Sequence, residues 1–283
     1  MDFVPSEKAT PIREPSTANL MIDSADRNPE FIFPNDFSIT KTNSILNGFF
    51  TRIGTTEVVL DWFQENISPG DITDSLVATV TAGATPGTYT FNAPTGFYTQ
   101  AQLIQWMIIK LNSIPGGITW TVSSTVGSGV AVIASGNITI GFSGSIASKL
   151  KITSAPVAYG PGDGFPIFAV DLRLYSYIDF VSTQLTYNQN VKDASTAKIV
   201  RDVLCRWYFA FDQPPTFDTY GFPILMGYTP FCLRRLFSPA KQIKWEGNMP
   251  VGNLSFQVYQ PNGDLANMNY RTNFQMTLQA SEV

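Results

Sequence analysis

Three pairs of carboxylates stand close enough along the chain to suggest acid–base chemistry: Asp23 with Asp26, Glu57 with Asp61, and Asp71 with Asp74. The first pair lies in Leu-Met-Ile-Asp-Ser-Ala-Asp-Arg, residues 20–27, where Arg27 could tune its charge. Glycoside hydrolysis needs two carboxyl groups facing each other about 5–9 Å apart across a cleft. Glu57 and Asp61 instead fall on one face of a strand, two pleats apart, which is spacing along an element and not across a cleft. The chain contains no histidine. That removes Ser-His-Asp and Cys-His triads, histidine-containing zinc sites and the commonest general base together. The glycine-rich pieces TVGSGV (125–130) and YGPGDGFP (159–166) do not lead from a strand into a helix with a following Lys-Ser or Lys-Thr, so they read as turns and not as a phosphate cradle. No catalytic residue, metal site or cofactor is expected.

Cys205 in VLCRWYF and Cys232 in TPFCLRRLF fit no metal or redox spacing. Both sit in apolar runs and are expected as buried free thiols, which implies assembly in a reducing compartment. Sequons at Asn66, Asn137 and Asn253 lack a secretory signal and are expected to carry no glycan. No run approaches the ~18 apolar residues of a membrane span, so membrane insertion is not expected.

The elements that must position these residues are strands. Runs such as FIFPNDFSI, TYTFNA, NITIGF, NLSFQVYQ and NFQMTLQAS are rich in β-branched and aromatic residues and bounded by Gly, Pro, Asn or Asp. So many short runs predict an all-β sandwich or barrel. In NLSFQVYQ, Leu254, Phe256 and Val258 share one face, and in NFQMTLQA so do Phe274, Met276 and Leu278. One segment departs from this period. Thr99–Asn112 places Leu103, Met107 and Leu111 at helical spacing, with Thr99 as N-cap and Gln102 completing a capping box. The organisation expected is an extended, proline-rich arm over 1–19, a β domain from 20–71 and 154–283, and an inserted α/β module over 72–153 carrying the one long helix.

Charge is sparse and uneven. Charged residues are 14% of the 283, against about 25% in an ordinary soluble domain, while hydrophobics are 44% and aromatics 13%. Uncharged Asn, Gln, Ser and Thr are cheaper to bury against another protein than ions, which suits a surface made for assembly. The net charge of −4 argues against a broadly nucleic-acid-binding domain. Residues 192–245 nonetheless hold 8 basic and 4 acidic residues, against 9 and 15 in 1–191. Arg201, Arg206, Arg234, Arg235, Lys241 and Lys244 therefore form a candidate basic face toward an interface, internal protein or genome, or else are ordinary solvated strand charges.

The run Ile22, Asp23, Ser24, Asp26, Arg27, then Asn35, Asp36, Phe37 and Ile39 resembles the N-terminal signature of single jelly-roll penton, or minor capsid, proteins of virophages, polinton-like viruses and related double-stranded DNA viruses. The far end, GNLSFQVYQPNGDLANMNYRTNFQMTLQASEV, resembles that family's closing hairpin. The resemblance implies an eight-stranded single jelly roll, homopentamers at icosahedral vertices, and contact with trimers of a double jelly-roll major capsid protein. It further implies a virion protein assembled inside the host cell, without enzymatic activity. Other minor capsid proteins, a vertex spike or a host receptor are partners that an outward-facing insertion would admit. In this frame Asp23, Ser24, Asp26, Arg27 and Phe37 are a structural turn. Asp23 and Ser24 hold backbone groups where the arm enters the roll, Arg27 pairs with Asp23 or Asp26, and Phe31, Phe33 and Phe37 enter the core.

Two other functions fit the same composition. One is a different minor or cement capsid protein with the same roll. The other is a carbohydrate-binding β-sandwich adhesin, in which Trp62, Trp106, Trp120 or Trp245 would form a sugar platform.

Overall fold

A computed structural model describes residues 17–40, 50–68, 74–126, 129–186, 203–209, 216–238, 240, 242–244 and 252–282. The chain starts with β1 (Thr17–Asp23), β2 (Asp36–Thr40) and β3 (Arg52–Trp62). Next come β4 (Ser75–Ala82), β5 (Gly87–Asn92), helix α1 (Gln100–Asn112), β6 (Trp120–Val126), β7 (Gly129–Ala134), β8 (Ile138–Ser143), the short helix α2 (Ser145–Lys149), β9 (Ser154–Tyr159) and β10 (Gly164–Phe168). It ends through β11 (Tyr177–Val181), one helical turn α3 (Thr183–Thr186), β12 (Val203–Tyr208), β13 (Thr216–Phe217), β14 (Pro223–Ile224), β15 (Phe231–Leu236), β16 (Gln242–Lys244), β17 (Asn253–Tyr259) and β18 (Asn273–Ser281). Of the arm expected over 1–19, residues 1–16 lie outside the described residues, and Thr17–Asn19 already belong to β1. No described helix is long and apolar enough to cross a membrane.

Eight strands make two sheets, ordered β1-β18-β3-β15 and β12-β11-β17-β2. Strand β16 adds to β3 beside Arg52–Gly54. Counted in chain order the eight read 1-8-3-6 and 5-4-7-2, so every step along the chain except β11 to β12 crosses from one sheet to the other. This is the strand order of a jelly roll. The alternation read from sequence sets its inner faces: Leu254, Phe256 and Val258 are buried on β17, and Phe274, Met276 and Leu278 on β18. Phe274 carries the contact between sheets, with its ring 5.8 Å from Phe37 and 4.7 Å from Phe180. Phe37 in turn stacks on Phe256 at 5.5 Å. Such ring pairs contribute about 0.5–1.5 kcal/mol each beyond the area they bury.

The chain divides into two compact units, Met1–Leu60 with Asp179–Arg206 and Leu233–Val283, and Asp61–Ile178 with Trp207–Cys232. The first contains the roll. The second takes in 72–153 together with 61–71, 154–178 and 207–232, because the chain leaves the roll twice, through β3 and again through β12.

In the second unit, sheet β5-β4-β8-β9 and sheet β10-β7-β6 share a core with α1. The helix begins as its sequence predicts. Thr99 Oγ1 accepts the Gln102 N–H at 3.3 Å, and Gln102 Oε1 accepts the Thr99 N–H at 2.9 Å. Asp218 adds a further cap, accepting the Ala101 N–H at 2.8 Å. Leu103, Ile104, Met107 and Leu111 are wholly buried. From the later segment Tyr228 enters the same core, where its hydroxyl donates to the Val170 carbonyl at 3.0 Å and accepts the Leu172 N–H at 2.7 Å.

Burial pushes the Tyr228 phenol up from 10.0 to about 12. In the unfolded chain that phenol loses its proton first. The contribution of this phenol to stability is therefore intact below about pH 10 and is lost as pH rises toward 12. Tyr228→Phe should flatten this alkaline loss while costing about 1 kcal/mol at neutral pH through the missing hydroxyl. Urea titrations at pH 7, 10 and 11.5 measure both effects, and an unchanged alkaline slope in the variant would refute the assignment.

Candidate functional site

The segment after β1 turns through a 3-10 helix, Ser24–Asp26, where Asp23, Ser24 and Arg27 each have specific partners. Asp23 caps the turn by accepting the Ala25 N–H at 2.8 Å, and its other oxygen accepts Gln275 Nε2 at 2.9 Å. Ser24 is fully buried. Its Oγ accepts the Phe274 N–H at 2.8 Å and donates to Asn273 Oδ1 at 3.3 Å. Asp26 is exposed.

Arg27 does not pair with Asp23 or Asp26 as expected. Its Nε donates to the Phe31 carbonyl at 3.0 Å, and Nη2 donates to the Ile32 carbonyl at 3.0 Å. Its Nη1 reaches the Ser24 carbonyl at 2.7 Å and Asn273 Oδ1 at 3.3 Å. The physical reason is that the Asp23 carboxylate is already taken by the cap and by Gln275, whereas the carbonyls of a tight corner have no strand partner. A planar guanidinium with five donors can serve several at once.

Asn28 and Asn35 complete the corner, and sequence reasoning missed Asn28. Its amide donates to Ser38 Oγ at 2.9 Å and Thr40 Oγ1 at 3.1 Å, while its backbone N–H bonds the Ser38 carbonyl at 2.9 Å. Asn35 Nδ2 donates to the Ala266 carbonyl at 2.8 Å, and its own carbonyl accepts the Val258 N–H at 2.8 Å. The motif thus ties β1, β2, the start of β18 and the loop after β17 together. Of Phe31, Phe33 and Phe37, only Phe37 enters the core. Phe33 is 47% exposed and Phe31 half-buried, because strand alternation begins only at Asp36.

The described basic residues of 192–245 fall on strands of both sheets. Arg206 lies on β12 and forms a two-point ion pair with Asp179 on β11, Nε–Oδ1 2.7 Å and Nη2–Oδ2 2.9 Å. Both side chains are largely buried, at 17% and 5% exposure. Arg234 belongs to the other sheet and pairs with Glu57 through bonds of 2.5 and 3.0 Å, which hold its guanidinium above its ordinary pKa. Arg235 is the next residue on β15 and so points to the opposite face. Lys244 is exposed on β16. Arg201 and Lys241 lie outside the described residues.

The other candidates for chemistry have structural partners. Asp61, the expected companion of Glu57, hydrogen-bonds the Cys232 thiol and raises its pKa. Cys232 is exposed, contrary to expectation, because it falls on the outer side of the alternating β15, whereas Cys205 is buried. Asp71 lies outside the described residues. Asp171 holds Arg173 at 2.7 Å, and that hydrogen bond raises the guanidinium pKa. Among the described residues no group of three or more Cys, Asp or Glu could hold a metal ion. Asn66 is buried with its amide bonded to the backbone of Tyr98, and Trp62 and Trp120 are each 1% exposed, so neither tryptophan offers a sugar platform. Trp106 is half-buried against the core, and Trp245 lies outside the described residues. Asp218, whose Oδ1 accepts the Tyr220 and Phe222 N–H groups while Oδ2 caps α1, was also missed. The run Asp-Thr-Tyr-Gly is a turn signal that could have flagged it.

No protein-family description matches the chain, and no curated protein matches it. Among solved structures, the crystal structure of the mavirus penton protein is similar over 96% of this chain and 100% of that one, with a TM-score of 0.52 and 11% sequence identity. The likeness is one of fold.

Ser24→Ala should destabilise the chain by about 1–3 kcal/mol, since it leaves the buried Phe274 N–H without an acceptor. Arg206→Ala should cost more, about 3–5 kcal/mol, because it strands the Asp179 carboxylate in a buried position. Chemical denaturation measures both. A cost below 1 kcal/mol for Arg206→Ala would mean that water reaches Asp179.

Proposed function

We propose that this chain is a structural virion protein, a penton that assembles as a homopentamer at icosahedral vertices and contacts trimers of a double jelly-roll major capsid protein. What carries the reading is the jelly-roll strand order together with a likeness of fold that spans the full length of a penton protein. The sequence motif supports it at the same place. Ile22, Asp23, Ser24 and Arg27 hold the first strand, the crossover and the last strand to one another.

A pentamer is a closed ring of heterologous contacts, so each subunit buries two different lateral patches. A charged fraction of 14% suits such burial, and the pairing of Arg206 with Asp179 and of Arg234 with Glu57 lowers the cost of laying those strands against protein. On this reading the chain acts in the capsid, is assembled within the host cell and performs no catalysis.

Light scattering on the purified chain should give five times 31.1 kDa, about 155 kDa. Quantitative mass spectrometry of particles should give about sixty copies, the number for twelve closed five-fold rings. A strictly monomeric chain at high concentration, combined with vertices that lack its density in a cryo-EM map, would remove the penton assignment. A copy number far above sixty would indicate a cement protein with the same fold.

A further inference from the structure

One end of the β5-β4-β8-β9 sheet holds an open cleft of about 220 Å³. It forms where the ladder breaks register. Strand β4 pairs with β8 as far as Val80 opposite Ile140 and resumes at Ala82 opposite Thr139, so a bulge bends the end of β4. Gly83 follows at φ +93°, so close to β8 that a Cβ there would lie 2.0 Å from the Asn137 carbonyl oxygen. Only glycine can close this wall. The opposite wall is the end of β9, Ala158 to Gly160, where Tyr159 is fixed by ring contacts to Trp120 at 6.3 Å and Phe165 at 6.2 Å. A Cβ on Gly160 would stand 3.9 Å from Asn137 Oδ1 and 3.0 Å from Asp163 Oδ2. The amide and the carboxylate therefore both border a position that carries no side chain.

The chemistry of the lining is selective. Every lining side chain is uncharged, and the methyl groups of Ala82 and Ala158 stand beside the Asn137 amide and the Thr139 hydroxyl. Asn137 is exposed, so its amide is open to a ligand as both donor and acceptor. Asp163 stands at the rim, with Oδ2 accepting the Gly160 N–H at 3.2 Å. Its carboxylate can accept from hydroxyl groups and repels anions. The volume falls below the roughly 300–1,000 Å³ of pockets that enclose drug-sized molecules, which leaves room for a single ring. We propose that this cleft binds one neutral, hydroxyl-rich sugar ring, either free or at the end of a glycan. The cleft is small and open, so binding is expected in the millimolar range.

Saturation-transfer NMR on the intact chain, with the methyl glycosides of glucose, galactose, mannose and N-acetylglucosamine as probes, tests this. Saturable transfer to at least one of them is expected, weakened about tenfold by Asn137→Ala at an unchanged Tm, since an exposed amide contributes little to stability. Asp163→Asn keeps the bond to Gly160 and should admit anionic sugars that the native chain rejects. If Asn137→Ala lowers Tm, Thr139→Val replaces it as the test variant. No saturable transfer from any of the four probes, or transfer that the lining variants leave intact, overturns the proposal. Sugar binding is read on the chain in whatever oligomeric state it adopts, so the failure of this proposal and of the penton assignment are separate results.

Discussion

The pairing of the first strand with the last is the constraint on which the roll depends. Thr17 to Asp23 lies antiparallel to Gln275–Ser281 in unbroken register, so two segments more than 250 residues apart in sequence must meet before their sheet is complete. Because side chains alternate along a strand, a slip of one residue would turn Phe274, Met276 and Leu278 from the core to the outside. Register is pinned at one end by the Ser24 hydroxyl on the Phe274 N–H and by Gln275 on Asp23. The corner is thus a clamp on strand order. Its residues are polar because what they must satisfy is backbone, at a point where the chain leaves one sheet for the other and no ladder exists to do so.

That clamp was partly legible in the sequence. Short Asp and Ser side chains beside an apolar triplet announce a turn, and the alternation of 254–258 and 274–278 announces the inner faces. The partner of Arg27 was not legible. Sequence displays side-chain charges but not free carbonyls, so a nearby Asp looked like the natural acceptor when Phe31, Ile32 and Ser24 supply backbone oxygens. Strands β9 and β10 escaped for a related reason. Pro156 and Pro166 interrupt the signal, yet both are tolerated because β9 and β10 are edge strands. The extent of the second unit was hidden because its later segment, 207–232, begins and ends inside strands that also serve the roll.

Charge tells a similar story. A count along the chain finds a basic segment, but two of its described cations pair in different sheets. Arg206 meets Asp179 across neighbouring strands of one sheet, and Arg234 meets Glu57 in the other. Linear charge density is a poor guide to a surface field in an all-β chain, since successive residues such as Arg234 and Arg235 face opposite ways. The two pairs also differ in kind. Arg206 and Asp179 are nearly dry, so they fix the alignment of β11 and β12 through the penalty for separating them, whereas the exposed Arg234 adds little by itself.

The second unit shows how an insertion can depend on chain that arrives much later. Helix α1 has its own capping box, but the Ala101 N–H is satisfied by Asp218, and Tyr228 ties down the carbonyl of Val170 and the N–H of Leu172. Residues 61–178 alone therefore lack a cap, a buried phenol and the Phe222 ring that shares their core. Contacts of such sequence separation are slow to form, since each closes a long loop before it stabilises anything. The core of the early segment is therefore complete only when Phe222 and Tyr228 have docked in it.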